Sequence, residues 1–207
     1  SCLVGSEMCI RDRVVYPFGY GLSYTTFDVE TVSAGVVNSN CTSEANKLYA
    51  KVRVTNTGKF SGKEVVQVYI AKPQGKLGKP AKELAAFEKT RELQPGESQL
   101  MILTWEINDM ASYDDLGKVK KSAYVLETGS YDIYVGTSVR DVTKADYSYI
   151  LNHDVITEQL SAKLVPTSLP KRMLADGSYE ALPQSEPVDT DYSACLLYTS
   201  DAADDTP

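Results

Sequence analysis

The chain has 207 residues, 43% of them hydrophobic and 24% charged, with a net charge of −7 at pH 7. That length suffices for one compact domain with tails. The acidic balance excludes a nucleic-acid or anionic-membrane surface, and no apolar run approaches the ~20 residues of a membrane-spanning helix.

The two ends are set aside from the fold. Residues 1–13 (SCLVGSEMCIRDR) and 195–207 (CLLYTSDAADDTP) resemble translated sequencing-adapter sequence. They follow no secretion, transit or lipidation pattern, and the opening lacks both a positive n-region and an apolar h-region. Asp201, Asp204 and Asp205 of the last stretch supply three of the seven net negative charges. Cys2, Cys9 and Cys195 also lie in these ends. Cys41 is left as the one cysteine of the interior, so neither an internal disulfide nor a cysteine metal cluster is expected there. A lone cysteine is compatible with a reducing, cytoplasmic compartment.

Residues 16–27 (YPFGYGLSYTTF) form the most informative stretch. Pro17 fixes one φ angle, and Gly19 and Gly21 permit sharp bends. Tyr16, Phe18, Tyr20 and Tyr24, with Leu22, offer apolar faces for packing against a neighbour. The stretch reads as a stiff lead-in to a β-domain, and Tyr16, Pro17, Phe18, Gly19, Tyr20, Gly21, Leu22 and Tyr24 are the candidate interdomain packing residues.

Strand patterns then recur about every ten residues. A first strand is expected over residues 27–36. Leu48, Ala50, Val52 and Val54 alternate with Tyr49, Lys51, Arg53 and Thr55, the period of a half-buried strand. Residues 56–59 (NTGK) read as a turn. Residues 65–71 (VVQVYIA) are β-branched and aromatic. Residues 82–89 (KELAAFEK) have some helix propensity but are read as a strand or a bend between strands. Residues 94–97 (QPGE) place Pro and Gly where a type II turn wants them. Residues 98–107 put Met101, Leu103, Trp105 and Ile107 on one face. Residues 124–126, a turn at Thr128 and Gly129, and Tyr131, Ile133 and Val135 are expected to close a hairpin. About seven strands over residues 24–140 with no sustained helix predict an all-β, antiparallel immunoglobulin-like β-sandwich, with a barrel as the rival.

The pattern changes after residue 140. Residues 146–151 can form one more strand, and 155–164 are ambiguous between extended chain and a short helix. From Pro166 onward, Pro166, Pro170, Pro183, Pro187 and Gly177 read as a linker. The expected division is 1–13 and 195–207 as foreign ends, 14–23 as an interdomain junction, 24–140 as the sandwich, and 141–194 as an extended strand and linker.

Residues 16–27, 49–69 (YAKVRVTNTGKFSGKEVVQVY), 80–89 (PAKELAAFEK), 93–98 (LQPGES) and 127–141 (ETGSYDIYVGTSVRD) together resemble the fibronectin type III-like domain of β-glucosidase-type glycoside hydrolases of family 3. Five motifs in the family's order carry that resemblance. It implies a fibronectin type III-like sandwich that supports the catalytic domains by packing. It also implies a nucleophilic Asp on a TIM barrel and an acid/base carboxylate on or near an α/β sandwich. Retaining hydrolysis needs two carboxyl groups ~5–5.5 Å apart on rigid supports. No position here matches either family motif, so no catalytic residue is assigned and the chain alone is expected to be inactive. No cofactor or metal is expected. The implied partners are the TIM-barrel and α/β-sandwich domains of the same polypeptide, with the β-glucoside substrate reached only through them, and with no nucleic acid and no membrane. The long tail resembles permuted family members. In those the α/β sandwich and fibronectin type III-like domain precede the barrel, so an α/β sandwich is expected before Val14 and a barrel after the fragment.

The remaining site signals have simpler readings. Asn108, Asp109, Asp114 and Asp115 lack the spacing and Gly of an EF-hand loop and read as a solvated loop. Lys118, Lys120 and Lys121 also read as a solvated loop. His153 has no neighbouring nucleophile or ligand and reads as a loop residue. Trp105 reads as core rather than sugar platform. Cys41 reads as a free surface thiol within Asn40-Cys41-Thr42. The chain's 14 tyrosines keep one alternative open, a carbohydrate-binding module. Three or more coplanar exposed aromatics on one sheet face would mark it, whereas one apolar patch around residues 16–24 would mark docking.

Overall fold

The structure, a computed structural model, describes residues 15–37, 46–161, 171–173 and 178–181. Its strands run in the order β1 (Phe27–Val36), β2 (Lys47–Asn56), β3 (Val65–Ala71), β4 (Glu83–Lys89), β5 (Ser98–Glu106), β6 (Ser112–Asp114), β7 (Ala123–Leu126), β8 (Gly129–Gly136), β9 (Val142–Leu151), β10 (Val155–Gln159), β11 (Lys171–Met173) and β12 (Tyr179–Ala181). A 3-10 turn, Asn108–Met110, follows β5. Cys41, the Asn40-Cys41-Thr42 sequence, both chain ends and most of the proline-rich tail lie outside the described residues.

Two antiparallel sheets form the sandwich that the alternation predicts. One has the order β1-β2-β5 and the other β4-β3-β8-β9. Leu48, Ala50, Val52 and Val54 of β2 are fully buried, with Met101, Leu103 and Trp105 of β5 beside them. They pack against Val66, Val68 and Ile70 of β3 and Tyr131, Ile133 and Val135 of β8 in one apolar cluster. Alternate residues thus meet between the sheets while their neighbours face outward, the usual consequence of a two-residue period. Trp105 is core, as expected. Residues 83–89 form a strand at the sheet edge, because pairing with β3 overrides their weak helix propensity. The turn at 94–97 closes through Glu97 N–H to the Gln94 carbonyl at 2.9 Å, with Gly96 at φ +79°. That is the position where a type II turn requires positive φ.

The expected hairpin of residues 124–135 is not formed. Strand β7 pairs with β6 and β10, whereas β8 pairs with β3 and β9. The chain crosses between sheets at residues 127–128. Gly129 is there for close packing, since a Cβ on it would lie 2.6 Å from Pro73 Cβ. Sheet pairing also continues beyond residue 140. Strand β9 adds to the edge of the four-stranded sheet and β10 pairs with β7, so the ambiguous residues 155–159 are extended.

The acidic loop differs from its solvated reading. Asp114 is fully buried. Its carboxylate accepts four backbone N–H bonds, from Gly117, Lys118, Val119 and Lys120 at 2.7–3.0 Å. It is the organising centre of the loop that carries the three lysines. Lys118 in turn reaches Glu180 of β12 at 3.5 Å. His153 is exposed, as a loop residue.

Candidate domain-docking site

Residues 16–24 run across the outer side of the four-stranded sheet. Their course starts with a tight turn in which Tyr20 N–H bonds to the Pro17 carbonyl at 3.0 Å and Gly19 takes φ +78°. A β-carbon at Gly19 would sit 2.0 Å from Gln67 Oε1 and 2.7 Å from the Tyr69 hydroxyl, so glycine is required there. Gly21 meets nothing within 4 Å and its role is not explained by packing.

The sandwich holds this turn through polar contacts. Gln67 Nε2 donates to the Gly19 carbonyl at 2.8 Å and to the Thr137 carbonyl at 2.7 Å. Val139 N–H donates to the Phe18 carbonyl at 3.0 Å. Downstream, Thr25 Oγ1 donates to Asn56 Oδ1 at 2.8 Å, and the Thr26 carbonyl accepts from Thr57 N–H at 2.9 Å. Gly58 and Gly62 let Thr25 approach, since a Cβ at either would come within 2.8 Å of its side chain.

The side chains point the other way. Tyr16, Phe18 and Tyr24 are 65%, 64% and 97% exposed, and Tyr20 and Leu22 are exposed as well. The Tyr16 and Tyr20 rings lie 5.1 Å apart, and Phe18 stands edge-on to Tyr69 at 6.4 Å. Phe60 is likewise exposed. An open groove of about 400 Å³ lies between Pro17, Tyr20 and Gly21 on one side and Thr137, Ser138 and Asp141 on the other. Burial pushes the Tyr69 hydroxyl above its ordinary value. Burial also raises the Glu64 carboxyl, against the Val65 N–H that lowers it, and nearby Asp141 raises it further.

The eight candidate packing residues lie on one segment whose Phe18 and Gly19 carbonyls are bonded to the sandwich and whose Tyr16, Phe18, Tyr20, Leu22 and Tyr24 side chains are exposed. Gln67 and the loop after β8 complete the site and were not singled out in the sequence. An amide inside the β-branched run VVQVYIA was the available signal, because a polar group amid strand core residues needs a partner.

Other candidates do not assemble. Among the described residues no three His, Cys, Asp or Glu side chains could hold a metal ion. The exposed pair Tyr113 and Tyr124 has centroids 5.5 Å apart but planes inclined at 56°, which is not a flat sugar platform. No described helix is long and apolar enough to cross a membrane.

Comparison with known proteins agrees with the fold. Residues 64–139 match the fibronectin type III-like domain family. The chain is 58% identical over 188 residues to β-glucosidase A of Butyrivibrio fibrisolvens, covering 87% of this chain and 23% of that protein. It is 42% identical over 180 residues to a β-glucosidase of Ruminococcus albus, covering 85% of this chain and 18% of that one. A β-glucosidase structure from Paenibacillus barengoltzii superposes with a TM-score of 0.72 at 40% identity, over 91% of this chain and 21% of that chain. The family 3 β-glucosidase structure of Bifidobacterium adolescentis gives a TM-score of 0.56 at 29% identity, over 72% of this chain and 20% of that chain. The chain spans less than a quarter of the length of these relatives. Sandwich, matched domain and relatives agree, and the chain belongs to glycoside hydrolase family 3 as a part that carries its fibronectin type III-like domain.

Proposed function

We propose that this sandwich serves a family 3 enzyme that hydrolyses terminal β-D-glucosyl bonds, and that it does so by packing rather than by chemistry. One observation carries the reading: the turn at residues 17–20 is bonded to the sandwich through the Phe18 and Gly19 carbonyls while Tyr16, Phe18, Tyr20, Leu22 and Tyr24 remain exposed. A cluster of apolar side chains held outward is what a docking surface between domains looks like. The occupants are the α/β-sandwich and TIM-barrel domains of the same polypeptide. The barrel supplies the nucleophilic Asp, and the permuted order puts the α/β sandwich before Val14 and the barrel after residue 194. Residues 14–23 act as the junction and the tail after β10 as the crossing segment.

Two experiments test this. The purified chain is assayed with an aryl β-glucoside, and no turnover is expected. The uninterrupted reading frame is recovered, and a barrel encoded downstream is expected. Turnover by the chain alone would overturn the accessory role, and a barrel encoded upstream would overturn the permuted order.

A further inference from the structure

Gln67 sits in the middle of β3 on the face away from the main core, yet it is only 6% exposed. Its amide is fully used. Both N–H groups of Nε2 go to backbone carbonyls, of Gly19 and Thr137, and Oε1 accepts from the Tyr69 hydroxyl at 2.5 Å. This orientation is dictated, because carbonyls only accept and the opposite orientation would set oxygen against oxygen. The two carbonyls belong to segments far apart in sequence, the turn at 17–20 and the loop after β8. The same two segments also meet directly, through Val139 N–H and the Phe18 carbonyl at 3.0 Å.

We infer that Gln67 is a latch that assembles the docking surface before any partner arrives. It fixes the Gly19 turn against the loop after β8, so that Tyr16, Phe18 and Tyr20 are presented in one arrangement. Gly19 is the matching half of the latch, since any side chain there would collide with the Gln67 amide. A buried polar network with every member satisfied is rigid and specific in geometry. Setting that geometry in advance lowers the ordering cost of docking. The purpose assigned to the latch rests on the docking reading, but the latch itself consists of contacts within this chain.

Amide hydrogen exchange on the full chain tests it, read residue by residue by NMR. The Val139 amide should be protected in the wild type. Gln67→Met keeps the volume and removes the hydrogen bonds, and Gly19→Ala disrupts the latch from the other side. Each should speed exchange at Val139 by roughly tenfold or more, and the double variant should add nothing further. The Val68 and Ile133 amides report whether the core has stayed folded. An unprotected Val139 amide in the wild type, or unchanged protection in either folded variant, would overturn the latch. If the latch holds but Tyr16→Ala and Phe18→Ala leave a complete polypeptide unchanged in stability and activity, the docking reading fails and the latch survives.

Discussion

Lys79 and Glu127 form an ion pair with 2% and 3% of their side chains exposed. Each has further partners. Lys79 Nζ also donates to the Pro73 carbonyl at 2.6 Å, and Glu127 accepts the N–H groups of Lys76 and Leu77 at 2.6 and 3.2 Å. The pair ties the loop between β3 and β4 to the point where the chain crosses from β7 to β8. The Tyr131 hydroxyl donates to the Glu127 carbonyl at 2.9 Å and seals the crossing.

Removing one partner of this pair is expected to be costly. Glu127→Ala should lower stability by about 3–5 kcal/mol, because it strands a buried ammonium. The double change Lys79→Met with Glu127→Leu should cost much less, since it removes both desolvated charges together. Urea unfolding of the three proteins checks this, and equal losses for single and double variants would contradict it.

Asn56 is the second polar hub. Its Nδ2 donates to the Phe60 and Leu93 carbonyls, both at 2.8 Å, and its Oδ1 accepts from Thr25 Oγ1 and Gly58 N–H. Asn56→Leu should destabilise by about 2–4 kcal/mol, as the Phe60 carbonyl and the Thr25 hydroxyl lose their Asn56 partner and the Leu93 carbonyl keeps only the Gly62 N–H. A thermal melt within a degree of wild type would show that water replaces the amide.

Asp114 gives the fold an acid limb. Burial alone would raise its carboxyl, but the N–H groups of Val119, Lys118, Lys120 and Gly117 outweigh burial and hold it below the ordinary 3.8. A carboxylate whose pKa falls on folding adds stability above its unfolded value and loses it as pH drops through the folded one. Stability should therefore decline from about pH 5 downward. Asp114→Asn should be less stable at pH 7 and show a shallower acid decline. Asp132, lowered by Lys144, Ser148 and Ser130, keeps a share of the decline in that variant. Unfolding midpoints at pH 7 and pH 3 decide the matter, and parallel declines would contradict the role of Asp114.

Two glycines with positive φ should respond differently to alanine. Gly96 has open space around its missing Cβ, so Gly96→Ala should cost only the backbone strain, about 1–2 kcal/mol. Gly129 adds a contact 2.6 Å from Pro73, so Gly129→Ala should cost more than Gly96→Ala. Paired denaturant titrations measure the order, and the reverse order would contradict the packing role of Gly129.

The strands of both sheets were legible because alternation over β2 and β5 directly encodes which residues face inward. The aromatic junction was legible because Pro17, Gly19 and four rings stand together in nine residues. The β7–β8 crossing was not, since Thr128 and Gly129 have hairpin chemistry while the buried Lys79–Glu127 pair is a long-range contact. Asp114 was misread for a similar reason. An acidic loop with lysines looks solvated, and only the fold shows one carboxylate turned inward to gather four N–H groups. Gln67 was hidden in a strand, where its partners come from segments 48 and 70 residues away.

Hydroxyl-radical footprinting of residues 16–24 tests the docking role most directly, comparing this chain with a complete polypeptide that contains it. In the isolated chain Tyr16, Phe18, Tyr20 and Tyr24 should be modified at rates befitting exposed side chains. In the complete polypeptide the rates at Tyr16, Phe18 and Tyr20 should fall about tenfold or more, with Tyr113 unchanged as the control. Equal rates in the two proteins would show that these aromatics face solvent in both, and would contradict a role in joining domains.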